Sequence, residues 1–238
     1  MDPHAAVDPS RLGDVVSRFG LPDATVPRLA ALLTALAAEP DPHTTVGPEE
    51  AIDVHIADSL SGLEVPELRS ARTIADIGAG AGFPGLPLAV ARSDARVDLI
   101  ESARRKTAVI DRLIAAAEIP NARSITVRVE EAAAGEGREA YDAVTARAVG
   151  PLPVLVEYAA PLLVSGGMLV AWKGARDADQ ESAGAAAAAE VGLEPREPVA
   201  VEPYSGSRNR HLHVYRKIAP TPNRFPRRPG MAAKRPLG

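Results

Sequence analysis

Asp76-Ile-Gly-Ala-Gly-Ala-Gly-Phe-Pro-Gly85 holds four glycines in ten residues, Gly78, Gly80, Gly82 and Gly85. Without a Cβ, glycine takes positive φ and lets the backbone come close to a ligand. The dinucleotide fingerprint Gly-x-Gly-x-x-Gly puts its third glycine where this chain has Phe83. Phe83 and Pro84 therefore suit a ligand without a pyrophosphate, such as an adenosine carrying an amino-acid tail. Glu101 lies 23 residues after Gly78. That is near the spacing at which an acid accepts two hydrogen bonds from a ribose diol; capping the next helix is the alternative role. His55, Asp58 and Ser59 share one face of an expected helix, open to an acid/base or metal reading or to a surface hydrogen-bond pair.

The elements that must position these groups follow from the pattern. Thr73–Ile77 reads as a short buried strand, and Leu86 to Arg92 as the helix after the turn. That helix start offers unpaired N–H groups and the positive end of its dipole. From Thr73 onward short apolar runs alternate with helices, the rhythm of βαβ units and a parallel sheet. The expected strands are 73–77, 96–101, 123–129, 142–146 and 167–172, closed by an antiparallel pair at 194–202 and 211–218, seven in all. The expected helices are 10–20, 25–38 (capped by Asp23 or Thr25), 49–63, 104–119, 151–163 and 177–191. Ligands of open α/β sheets sit beyond the carboxyl ends of the strands. That rule collects Gly78 to Phe83, Glu101, Val129, Glu130 and Arg147. Val129 and Glu130 would edge an adenine, unless Glu130-Glu131 is simply an exposed acidic pair at a helix start. Arg147 ends an apolar strand, where an unpaired charge is costly. Its partner is then a bound carboxylate, a bound phosphate or a buried acid.

Several of these motifs together resemble the RsmG (GidB) family. They are Asp76 to Leu88, His55-Ile-Ala-Asp-Ser-Leu60, Arg128-Val-Glu130, Ala146-Arg-Ala148 and Arg224-Phe-Pro-Arg-Arg-Pro-Gly230. The resemblance implies a Rossmann-like, class I S-adenosylmethionine-dependent methyltransferase with a seven-stranded, mostly parallel sheet. It implies cofactor contacts at Gly78, Phe83, Val129, Glu130 and Arg147, to which the residues add Gly80 and Glu101. It also implies methylation of guanine N7 in 16S ribosomal RNA, as free RNA or in a ribosomal particle. Related amine-methylating enzymes carry a catalytic Asn or Asp-Pro-Pro at the end of the fourth strand, where this chain has Ala146-Arg-Ala-Val149. That departure fits N7, whose lone pair needs no base, so no catalytic residue is expected.

Charge is unevenly spread. The net value is −4, yet after Glu202 there are nine cations and no carboxylate, leaving −13 on the remainder. Such asymmetry marks a local polyanion contact, and Arg224, Arg227, Arg228 and Lys234 are the expected RNA contacts on an extended tail. The organisation expected is a helical extension at 1–70, a methyltransferase domain at 71–218 and a basic tail at 219–238. The chain has no cysteine, so thiolate zinc sites and disulfides are excluded. No apolar run is long enough to span a membrane, and no signal peptide is read at Met1. A cytoplasmic monomer without a metal is expected. The competing classes are a methyltransferase for another substrate, a nicotinamide oxidoreductase and a noncatalytic ribosome-assembly factor.

Overall fold

The computed structural model describes residues 7–238. Two helices, α1 (Pro9–Arg18) and α2 (Thr25–Ala38), open it. Asp8 caps α1 by accepting from the N–H groups of Ser10 and Arg11. No side chain caps α2, contrary to the Asp23 or Thr25 expectation. Thr25 is buried, and Asp23 contributes only its carbonyl, which accepts from the Val26 N–H at 3.0 Å.

The expected helix at 49–63 is not one helix. A 3₁₀ turn (Pro48–Glu50) leads into a π-helical stretch (Ile52–Ala57), one α-turn α3 (Asp58–Leu60) and a second 3₁₀ turn (Ser61–Glu64). Apolar spacing cannot distinguish these windings, because each hides roughly one side of the chain. The short helix α4 (Pro66–Ser70) then precedes the sheet.

The sheet begins with β1 (Thr73–Ile77), α5 (Gly85–Ala91), β2 (Arg96–Ile100), α6 (Arg104–Ala116) and β3 (Ala122–Ile125). It continues with α7 (Val129–Ala134), β4 (Tyr141–Arg147), α8 (Leu152–Ala159), β5 (Leu163–Lys173) and α9 (Ala178–Val191). The short strands β6 (Leu193–Pro195) and β7 (Val199–Val201), the long β8 (Arg210–Lys217) and the short helix α10 (Met231–Lys234) complete the chain. The strand order is β3-β2-β1-β4-β5-β8-β6, with β7 also pairing β8. β1 to β5 run parallel to one another, and β8 is antiparallel to β5, β6 and β7.

Two strand expectations and one about the tail need correcting. The third strand stops at Ile125 rather than reaching Val129, so Val129 and Glu130 stand in the first turn of α7. The chain turns at once, with the Val127 N–H donating to the Ile125 carbonyl at 3.1 Å, and Glu131 accepts the Arg128 backbone N–H at 3.1 Å, a helix-start bond. The run 194–202 is two strands, since Pro198 has no N–H to continue a ladder. Eight strands therefore fill seven sheet positions. Lastly, the tail is not extended: it turns into α10 and is anchored by buried Phe225 and Ala232.

The two faces of the sheet carry two cores. Ile74, Val97 and Leu99 pack with α2, α5 and α6 on one face, and α1 joins the same cluster. Ala75, Ile77, Ile100 and Val144 pack with α8, α9 and Phe225 on the other. The N-terminal helices and the tail thus close opposite faces of one sheet, leaving the carboxyl ends of β1, β2 and β4 between them.

Candidate cofactor and substrate cleft

The turn after β1 is held from beneath by Asp76, which is wholly buried. Its Oδ1 accepts from the Thr145 hydroxyl at 2.8 Å and its Oδ2 from the Gly85 N–H at 2.9 Å. Register explains the first bond, since Asp76 lies opposite Thr145 in the β1–β4 pairing. Burial, only partly offset by these two bonds, pushes the Asp76 pKa up to about 7. Gly85 is required by space, because a Cβ there would lie 2.8 Å from the Asp76 carboxylate. Gly80 is required by conformation. Its φ is +58°, and an added Cβ would meet nothing nearer than 3.8 Å. The space over Gly80 is an open cradle of backbone.

Beside the turn lies a cavity of about 270 Å³ lined by Gly78, Glu101, Val129, Glu130, Tyr158 and Ala233, among others. Glu101 accepts from the Gly80 N–H at 3.1 Å and from the Ala103 N–H at 2.9 Å. It braces the glycine turn and the residue that leads into α6; the N-cap of that helix is Ala103 and no side chain caps it, so Glu101 is not the expected helix-cap acid. Glu130 is buried rather than an exposed acid, and its Oε1 accepts from the Gly230 N–H at 2.7 Å. The C-terminal segment is therefore one wall of this cavity.

A second, wider cavity of about 670 Å³ opens on the other side of the turn. His55, Gly80, Phe83, Lys106, Arg147 and Arg210 line it, and Gly78 lines both cavities. Here the surface-pair reading of His55 and Asp58 fails. Both are buried, and the break in helical winding gives each a separate partner. His55 stacks on Phe83 with ring centroids 4.2 Å apart, and its Nε2 lies 3.1 Å from the Thr44 hydroxyl. Burial, then the nearby Arg147 charge, lowers its pKa to about 4. Asp58 instead accepts from Arg147 at 2.7 Å. The same Arg147 nitrogen donates to the Val54 carbonyl at 2.8 Å, and the Trp172 indole N–H donates to the Asp58 carbonyl at 2.7 Å. Among the three partners open to Arg147, the buried acid is the one in place. Among the described residues, no group of three or more His, Asp or Glu is placed to hold a metal ion.

The family model for rRNA small subunit methyltransferase G (GidB) matches residues 32–210. The chain belongs to this family. A relative in Pelotomaculum thermopropionicum, "Ribosomal RNA small subunit methyltransferase G", is 39% identical over 80% of each chain. A relative of the same name in Rubrobacter xylanophilus is 39% identical over 80% of this chain and 74% of its own. In fold, the chain is similar to the 16S rRNA (adenine(1408)-N(1))-methyltransferase of Catenulisporales acidiphilia. That likeness has a TM-score of 0.53 at 15% identity, over 68% of this chain and 93% of the other. The GidB chain is thus a class I methyltransferase whose methyl donor is S-adenosylmethionine. The residues fit that donor: an open glycine cradle stands beside a cavity that has a carboxylate at the end of β2.

The expected RNA contacts separate into two kinds. Arg224 reaches Glu190 at 3.1 Å and lies over the Phe225 ring. Arg227 grips buried Glu157 with two nitrogens and also donates to the Arg235 carbonyl at 2.8 Å. Arg228 and Lys234 are exposed, and no carboxylate pairs with them among the described residues. Thr44, Thr145, Tyr158 and Gly230 were not anticipated from the sequence. Thr145, a lone hydroxyl inside a buried strand, and Gly230, the last residue of the Arg224–Gly230 motif, carried a signal there.

Proposed function

We propose that this enzyme transfers a methyl group from S-adenosylmethionine to N7 of a guanosine in small-subunit ribosomal RNA. Bound between the two cavities, that cofactor supplies a methyl group activated by its sulfonium charge. Glu101 holds the ribose hydroxyls, Val129 and Glu130 edge the adenine, and Gly78 and Gly80 admit the amino-acid tail. Phe83, fixed by its stack on His55, closes the cradle toward the wider cavity, which receives the guanine. Arg147, locked to Asp58, puts a neutral ion pair on the wall of that cavity, with a guanidinium where a proton acceptor would otherwise stand.

The observation that carries the N7 assignment is the end of β4. Arg147 there is committed to Asp58 and Val54, and no side chain in its place removes a proton. Guanine N7 has a lone pair and no proton, so the residues have only to orient it. Orientation alone supplies on the order of 7–11 kcal/mol. Arg228 and Lys234 give the RNA phosphate contacts beside the adenosine cavity, while Arg224 and Arg227 hold the tail in place.

The test is to incubate the protein with methyl-labelled S-adenosylmethionine and 16S rRNA, then cleave at N7-methylguanosine by reduction and aniline treatment. Label at one cleavable guanosine is expected. Label on an exocyclic amine, or none in the RNA, overturns the assignment.

A further inference from the structure

We propose that the groove where the ends of β4 and β5 meet the start of β8 is a second RNA-phosphate surface, across the cleft from the tail. This rests on the rRNA methyltransferase reading and says where the strand carrying the target nucleotide runs. The groove is a cavity of about 280 Å³ lined by Arg147, Ala148, Lys173, Gly174, Arg210 and His211, among others. It shares Asp58, Arg147, Ala148 and Arg210 with the wider cavity, so the two form one continuous depression.

Its charge is unbalanced. Among the described residues Asp58 is the only carboxylate in its lining, and Arg147 already neutralises it at 2.7 Å. Lys173 and Arg210 pair with no carboxylate among the described residues. Lys173 donates to the Gly150 carbonyl, Arg210 to the Tyr204 hydroxyl at 3.2 Å, and His211 Nδ1 lies 2.9 Å from the Gly174 carbonyl. These three bonds use neutral partners, fix the side chains and leave the charge of Lys173 and Arg210 unmatched. The backbone at its rim is unusual too. Ala148 and Asn209, both non-glycine, take φ of +58° and +55°. The conformation costs Ala148 about 1–2 kcal/mol, while Asn209 adopts it readily.

An anion is therefore the expected occupant, and continuity with the guanine cavity selects a phosphodiester. A nucleotide whose base enters beside Gly80 and Phe83 must lay its own backbone along an adjoining depression. Single-stranded RNA in a positively charged groove is held chiefly through phosphates, with an affinity that falls as salt rises.

The test compares the full-length protein, an Arg210→Gln/His211→Gln variant, Lys173→Met, and an Arg228→Gln/Lys234→Gln tail variant. For each, 16S rRNA affinity is measured between about 50 and 200 mM salt, and S-adenosylhomocysteine affinity by calorimetry. Expected is a log–log salt slope shallower by about 0.7 for each lost phosphate contact in the groove variants, with S-adenosylhomocysteine affinity within about twofold of wild type. Groove variants that keep the wild-type slope and affinity overturn the proposal, whatever the tail variant does. A wild-type protein that binds neither S-adenosylhomocysteine nor 16S rRNA instead overturns the methyltransferase reading itself.

Discussion

Arg147 at the end of β4 donates to the Asp58 carboxylate at 2.7 Å, tying the central strand to the break in winding that precedes the sheet. Asp58 and Arg147 are 5% and 16% exposed in their side chains, so each is a poorly solvated charge if left alone. Asp58→Ala therefore strands Arg147 and is expected to cost about 3–5 kcal/mol in urea unfolding. Arg147→Met strands Asp58 with a similar loss. A double Asp58→Leu/Arg147→Met variant is expected to recover a large part of it. If the double variant is as unstable as the sum of the singles, the pair is not what holds this corner.

The glycine turn separates fold from ligand. Gly85→Ala drives a Cβ to 2.8 Å from the Asp76 carboxylate and 2.9 Å from Leu99, with no room to yield. Overpacking of that kind costs about 1–3 kcal/mol. Gly80→Ala meets no such wall and loses only about 1–2 kcal/mol from its positive φ. Its methyl stands in the open cradle, so S-adenosylhomocysteine affinity is expected to fall at least ~10-fold, about 1.4 kcal/mol. Calorimetry and denaturation on both variants check this. Unchanged affinity in Gly80→Ala would remove the cradle from the ligand site.

Asp76 and His55 give opposite dependences on pH. The Asp76 pKa stands at about 7, against an ordinary 3.8, because burial disfavours its charge. Its folded form keeps a proton that the unfolded chain has released. The contribution is therefore fully present below about pH 4 and lost as pH rises through about 7, up to about 4 kcal/mol. His55 is lowered to about 4, so the unfolded chain takes up a proton that the folded one refuses. That stability is present above about pH 6.5 and is lost as pH falls to about 4, up to about 3 kcal/mol. Asp76→Asn keeps an oxygen for the Gly85 N–H and offers its amide to the Thr145 hydroxyl. Its stability relative to wild type should climb between pH 5 and 8. A flat difference across that interval would show that Asp76 is not held protonated.

Much of this architecture was readable because it obeys local rules. The spacing of Ile74 and Ile77, the glycines behind them and the acid at Glu101 placed β1, its turn and the end of β2 on sequence alone. What escaped depended on winding or on distant contacts. The π-helical turn buries the same apolar residues as an α-helix would, yet it points His55 and Asp58 at different partners. The third strand ends early at a turn in which the Val127 N–H meets the Ile125 carbonyl, and Glu131 then starts a helix through the Arg128 backbone N–H. The tail read as a run of loose cations, because nothing near Arg227 in sequence announces Glu157, 70 residues away. The same holds for Glu130 and Gly230, which meet only once α8 and the tail have packed on the sheet.

That docking supplies the last prediction. Glu157 is 3% exposed and Arg227 is 24% exposed in their side chains, and the pair fixes the tail against α8. Arg227→Met leaves the acid buried and alone, at a cost of about 3 kcal/mol, the low end for such pairs because Arg227 is partly solvated. It should also weaken S-adenosylhomocysteine binding several-fold. Freed from its anchor, the segment carrying Gly230 and Ala233 no longer walls the cavity proposed for adenosine or satisfies Glu130. Arg228→Ala, four-square to solvent, is expected to leave both quantities unchanged and to lower only RNA affinity. Denaturation, calorimetry and RNA binding on the two variants distinguish an anchor from a phosphate contact. If Arg227→Met lowers RNA affinity alone, with stability and S-adenosylhomocysteine binding intact, the tail is not part of the cofactor site.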